Sequence, residues 1–205
     1  MPHQNRVTPR SEIITHPGRG LLMGNRGILH DAAGHLGKRR WTSDLWITCA
    51  LSFRGWHRPI MAPRTYTELF FLDEAVAFAA GHRPCAECRR ADYNRFRTAW
   101  GVAGLGNKVL AADIDACLHR ARLTDPPRRQ RLHQAAIASL PAGCFITLAG
   151  QDHLVTTTAL HPYTPEGYGP ALPRLTSAKV VVLTPAPLVA VLLAGYVPLI
   201  HPSAV

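Results

Sequence analysis

Two cysteines stand two residues apart in the stretch Gly81-His82-Arg83-Pro84-Cys85-Ala86-Glu87-Cys88. A short turn between two thiolates points both sulfurs at one place, which is half of a tetrahedral zinc site. Pro84 fixes φ just before the first cysteine and helps to shape that turn. Structural zinc takes four ligands, so a second pair must come from elsewhere. The candidates are Cys49, His57, His82, His30 and His35. Cys49 and His57 flank a strand end and a turn, where a zinc-binding hairpin presents ligands, although their spacing exceeds the usual two to four intervening residues. Cys49 also fits as a small apolar side chain on the buried face of its strand. His57, between Trp56 and Arg58, also fits as a surface polar residue. His82 reads as support for the knuckle, and Cys117 and Cys144 as packing. The other chemistry open to Cys-x-x-Cys is thiol–disulfide exchange, which normally opens a helix after a strand. Here the pair lies between two helical patterns, which favours metal.

Arginines crowd the same region: Arg83, Arg89, Arg90, Arg95 and Arg97. Guanidinium groups on a helix that begins at a metal knuckle suit a nucleic-acid phosphate backbone, so DNA is the expected partner. The charge of the whole chain agrees. Formal net charge is +10, and residues 136–205 hold 2 Lys and Arg against 2 Asp and Glu, so the excess lies in the first two thirds. A solvated basic surface would give the same count. A second functional class is a metal-dependent nuclease or other phosphodiester hydrolase, with His30, Asp31, His35 or His57 as a base or at an open metal position. The chain has no HExxH signature to support it. A third class is a protein-interaction module in which zinc only replaces core.

The elements that must position these residues are legible from periodicity. Leu45, Ile47, Cys49, Leu51 and Phe53 share one face and alternate with Trp46, Thr48, Ala50 and Ser52, which predicts a strand over Leu45–Phe53. Tyr66–Leu72 reads as the return strand. A helix is expected over about Asp73–Ala80, with acids at its positive end and Gly81 closing it. A second helix runs from the knuckle to about Ala99, with Tyr93, Phe96 and Trp100 as its core stripe. Helices are also expected over Ala111–Leu123 and over a short segment from Arg128 to Leu140. Cys144–Leu148, His153–Ala159 and Lys179–Leu183 read as strands, followed by an apolar helix from Thr184 to Ala194. Residues 1–20 look like an arm, and Gly24-Asn25-Arg26-Gly27 like a turn or a weak phosphate loop. The expected class is α+β: a basic metal-binding unit over 1–100, a helical connector over 101–140, and a small neutral α+β unit over 141–205. Five cysteines without an export signal imply a reduced, cytoplasmic setting. The apolar run Val180–Ile200 is broken by three prolines and a glycine, which argues against a membrane span.

The stretch Phe70-Phe71-Leu72-Asp73-Glu74-Ala75, continuing through Ala79-Ala80-Gly81 into Arg83-Pro84-Cys85-Ala86-Glu87-Cys88, resembles the second half of the Ada-type metal-binding domain. The likeness covers about residues 45–96. It implies a zinc-binding β-hairpin and helix unit, with Cys85 and Cys88 as the second ligand pair of a Zn2+ site that grips DNA. It further implies DNA repair, in which a zinc-bound thiolate accepts a methyl group from a methylphosphotriester. The family's first cysteine pair falls near Arg54 and Arg58 here, so the acceptor role passes to Cys49, with His57 nearby as a further ligand.

Overall fold

The computed structural model describes residues 2–56, 59–124 and 129–204. In chain order the strands and helices are β1 (Gln4–Val7), β2 (Ile13–Thr15), β3 (Leu22–Asn25), β4 (Ile47–Cys49), β5 (Leu69–Phe71), α1 (Glu74–Ala79), β6 (Arg83–Pro84), α2 (Arg90–Val102), α3 (Ala111–Arg122), β7 (His133–Ala136), β8 (Phe145–Leu148), β9 (Gln151–Val155), β10 (Ala159–Thr164), β11 (Gly167–Tyr168), β12 (Leu172–Pro173), β13 (Lys179–Val182) and α4 (Ala186–Leu193). The fold is mixed α and β, as expected. One sheet has the order β2-β1-β5-β3-β4-β6, with β1–β5 and β4–β6 parallel. The other has the order β11-β10-β9-β8-β13-β7, with β12 on β10.

Helix α1 joins the two sheets, packing on β5 of the first and β8 of the second. Its six residues are all buried. A helix this short is not stable alone, so its Ala-Val-Ala-Phe-Ala run is held by burial rather than propensity. Phe78 within it is fully buried, worth about 2 kcal/mol. Asp73 caps the helix by accepting from the Val76 N–H at 2.9 Å. The same carboxylate accepts from the Tyr168 hydroxyl at 2.7 Å and the His201 N–H at 3.0 Å, tying the cap to the far end of the chain. Gly81 follows the helix with φ of +84°, a left-handed turn that sends the chain back into β6. Two cores result. One gathers Phe78, Phe96, Trp100, Ile114 and Leu118 with Ile146, Val182 and Val191. The other gathers Leu69, Phe71 and Ala75 with Phe145, Leu154 and Leu183. Each draws on residues from both sides of position 140.

Several local expectations are corrected. Residues 1–20 are not an arm, because Gln4–Val7 and Ile13–Thr15 pair with each other and β1 docks on β5. The predicted strand over Leu45–Phe53 is only three residues long, and Leu45 and Leu51 are exposed. The expected fourth helix is a strand and a single 3-10 turn, because Ala135 and Ala136 pair with Val180 and Lys179. Its expected start, Arg128, lies outside the described residues. Val180–Ile200 divides into the end of β13, helix α4 and a coil, and among the described residues no helix is long and apolar enough to cross a membrane.

Candidate metal centre

Strand β4 ends at Cys49, and β6 runs parallel beside it, pairing Ile47 with Arg83 and Thr48 with Pro84. Backbone bonds from the Arg83 N–H to Trp46 O (3.1 Å) and from the Cys85 N–H to Thr48 O (2.8 Å) fix that register. They bring Cys85 level with the end of β4. The knuckle then turns, with the Glu87 N–H donating to Cys85 Sγ at 3.4 Å, and Cys88 closes the group. The sulfurs of Cys49, Cys85 and Cys88 all lie within 4.8 Å of one another. Cys49 and Cys85 are buried and Cys88 is half-buried.

Three thiols this close cannot all ionise without a cation, because each thiolate repels the next. One thiolate is favoured. The S–H groups of Cys49 and then Cys88, with the backbone N–H groups of Glu87 and Cys88, hold Cys85 down at about 2. Cys49 is pushed far above the thiol range, by its hydrogen bond to Cys85 first and then by Cys88 and burial. Cys88 is raised as well: its contact with Cys49 pulls it down, and Cys85 and burial outweigh that. A cation at the centre would relieve this competition. The donor set is soft, buried and convergent, and therefore fits zinc or another thiophilic metal.

The remaining ligand candidates go elsewhere or lie outside view. His57 is outside the described residues. His82 is fully buried against Phe71 (4.6 Å) and Trp46 (5.2 Å), and its Nε2 accepts from Arg26 Nε at 3.3 Å. Burial, with Arg26 and Arg122 nearby, holds its pKa well below the usual value, so it is neutral. His30 bonds Thr67 Oγ1 at 2.6 Å and Ala62 O at 3.2 Å. His35 lies at the surface, 3.7 Å from Asp31. Cys144 is buried in the core, where burial raises its thiol to about 12, and Cys117 packs beside it.

The five arginines divide into two kinds. Arg83 and Arg89 face inward. Arg83 forks onto Asp115 of α3 at 2.8 and 2.6 Å. Arg89 lies between Glu74 (2.8 Å) and Asp92 (2.7 Å), and also donates to Thr48 Oγ1 at 2.9 Å. Both guanidinium groups brace the knuckle against α1, α2 and α3, and neither is directed at an outside phosphate. Arg90 and Arg95 are exposed, with Arg95 bridged to Asp92 at 2.7 Å. Arg97 is half-buried, 5.8 Å from the centroid of the Tyr93 ring. A cavity of about 600 Å³ opens beside Cys88, walled by Ala50, Leu51, Arg90, Arg95, Val197 and Leu199.

The structural arginines are what sequence reasoning missed. Asp115 is remote from Arg83 in the chain, whereas the Arg89–Asp92 pair has the i,i+3 spacing that a helical reading could have found. Comparison with protein-family models, with curated proteins and with solved structures finds no match to this chain.

Proposed function

We propose that this chain is a zinc-binding protein that associates with the phosphate backbone of DNA, with Cys49, Cys85 and Cys88 as three zinc ligands and His57 as the fourth. The single observation that carries the reading is the meeting within 4.8 Å of three sulfurs, one from the end of β4 and two from the knuckle that follows β6. Zinc, when bound, supplies the positive charge that keeps all three thiols deprotonated. Support for a nucleic-acid partner comes from Arg90 and Arg95 on the wall of the cavity beside Cys88, together with the net charge of +10.

The likeness to the Ada-type unit extends the proposal to repair. Cys49 Sγ would attack the methyl carbon of a methylphosphotriester. The methyl C–O bond breaks, the phosphodiester leaves as an anion, and Cys49 keeps the methyl group as a thioether. A metal-dependent phosphodiester hydrolase is the second reading, because the cavity beside Cys88 leaves room for a substrate next to an open metal position.

Metal analysis separates these readings. One zinc per chain is expected, lost in Cys49→Ser and in Cys85→Ser. Loss in His57→Ala as well assigns a closed four-ligand centre, and retention there favours the hydrolase. DNA binding should weaken steeply with salt, and Arg90→Ala should lower the slope of log K against log salt by about one. A mass gain on Cys49 after incubation with methylphosphotriester DNA would carry the repair step, and an unmodified Cys49 would remove it. A metal-free, fully reduced protein that folds normally would sink the whole proposal.

A further inference from the structure

Arg26 follows β3 and turns inward, leaving its side chain 1% exposed. A guanidinium has five N–H donors. Nε donates to His82 Nε2 (3.3 Å), Nη1 to Ser11 O (3.2 Å) and Nη2 to Ser11 Oγ (2.9 Å). All three acceptors are neutral. Among the described residues no carboxylate lies within ion-pair distance of Arg26. The contrast with Arg83 and Arg89, each buried against a carboxylate, is sharp. Arg26 is also 4.0 Å from the centroid of the Trp46 ring, and the buried guanidinium of Arg122 stands 3.9 Å from the same centroid. Two cations thus share one indole. Burial, then Arg122 and Arg40, depress the pKa of Arg26, which marks a charge without its counter-ion.

Arg26 lines a cavity of about 730 Å³, within the usual range for a small-molecule site. Other walls are Ser11, Arg40, Trp41, Trp46 and Arg129. Arg10 also lines it and is committed to Asp152 at 2.8 Å. Glu12, exposed, is the one acid among the lining residues. Arg40 and Arg129 are exposed and Trp41 is half-buried, so the walls are reachable from solvent. No lining residue is shared with the cavity beside Cys88.

We infer that this cavity is a binding pocket for a phosphate monoester, free or carried on a nucleotide, with Arg26 at its floor, Arg40 and Arg129 on its walls and Trp41 beside whatever the phosphate bears. Forked donors match the oxygens of a phosphate, and a dianion supplies the charge that the buried guanidinium lacks. A halide would leave most of the volume empty.

The zinc-loaded protein is titrated by calorimetry with inorganic phosphate and, separately, with a nucleoside monophosphate. Saturable one-to-one binding is expected. Arg40→Ala, which changes an exposed side chain, should raise Kd about tenfold, equivalent to about 1.4 kcal/mol. Arg26→Gln should weaken binding further where that variant folds. Tighter binding of the nucleotide, abolished in Trp41→Ala, assigns the pocket to nucleotides, and equal binding assigns it to phosphate itself. Failure of both probes to saturate at millimolar concentration overturns the inference. So does binding that is unchanged in Arg40→Ala, or that is lost instead in Arg90→Ala.

Discussion

Replacing Arg83 by methionine tests whether that residue is a brace rather than a phosphate contact. Its side chain and that of Asp115 are 3% and 4% exposed, and the two are joined by a fork at 2.8 and 2.6 Å. Arg83→Met leaves the Asp115 carboxylate buried and unpaired, which costs about 3–5 kcal/mol. That is a large share of the roughly 5–15 kcal/mol that holds a typical domain together. Burial already pushes the Asp115 carboxyl up and Arg83 pulls it back. Without Arg83 its folded-state pKa rises further above the unfolded value, so the folded variant binds the extra proton. Stability then falls as pH rises through that interval, and the deficit against the wild type should be smaller at pH 5 than at pH 7.5. Urea unfolding at both pH values measures it. Arg83→Met with Asp115→Leu should recover most of the loss, because an apolar pair of similar volume replaces an ion pair without penalty. A deficit below about 1 kcal/mol with an unchanged m-value, or a double variant no better than the single, would refute the argument.

A metal chelator should lower Tm in the wild type and leave Cys85→Ser unmoved, as read by thermal unfolding with and without chelator, if the three sulfurs hold the proposed ion. His82 is neutral in the folded state while its unfolded counterpart titrates near 6.5, so the unfolded chain binds more protons below that value. Wild-type stability should therefore drop relative to His82→Phe as pH falls below about 6.5, by at most about 1.4 kcal/mol per pH unit; parallel pH profiles would contradict this. Gly81→Ala should cost at least about 1–2 kcal/mol from its left-handed backbone alone. Its new Cβ would also lie 2.6 Å from Arg122 Cδ, and an unfolding curve matching wild type would count against that packing.

The knuckle was legible because two thiols at fixed spacing carry their chemistry in the sequence itself. Cys49 was legible as a candidate from its place near a strand end and turn, although strand alternation also read it as packing, and its meeting with Cys85 depends on a parallel pairing that no local pattern announces. Helix α1 was placed within a residue or two from its acids and its closing glycine. The N-terminal strands were not, since Gln4–Val7 is polar and short and becomes a strand by pairing with β2 and docking on β5. Ala135 and Ala136 favour a helix intrinsically, and the partner strand β13 overrides that preference. Arg83 and Arg89 looked like surface cations because Asp115 and Glu74 reach them from helices remote in the chain. Arg26 gave only the weak signal of a turn or phosphate loop, and an arginine in a glycine turn shows nothing of the indole beneath it.

The spacing of the three sulfurs along the chain decides how a metal would act on folding. An unfolded chain already offers Cys85 and Cys88 as a two-point chelate, since they are nearly adjacent, whereas Cys49 joins only once segment 50–84 has folded back and β4 lies against β6. Ions held by the denatured ensemble subtract from any benefit to the native one. What a metal would add to the native state is therefore the margin by which a third sulfur improves on a dangling pair, and Cys49 supplies that sulfur.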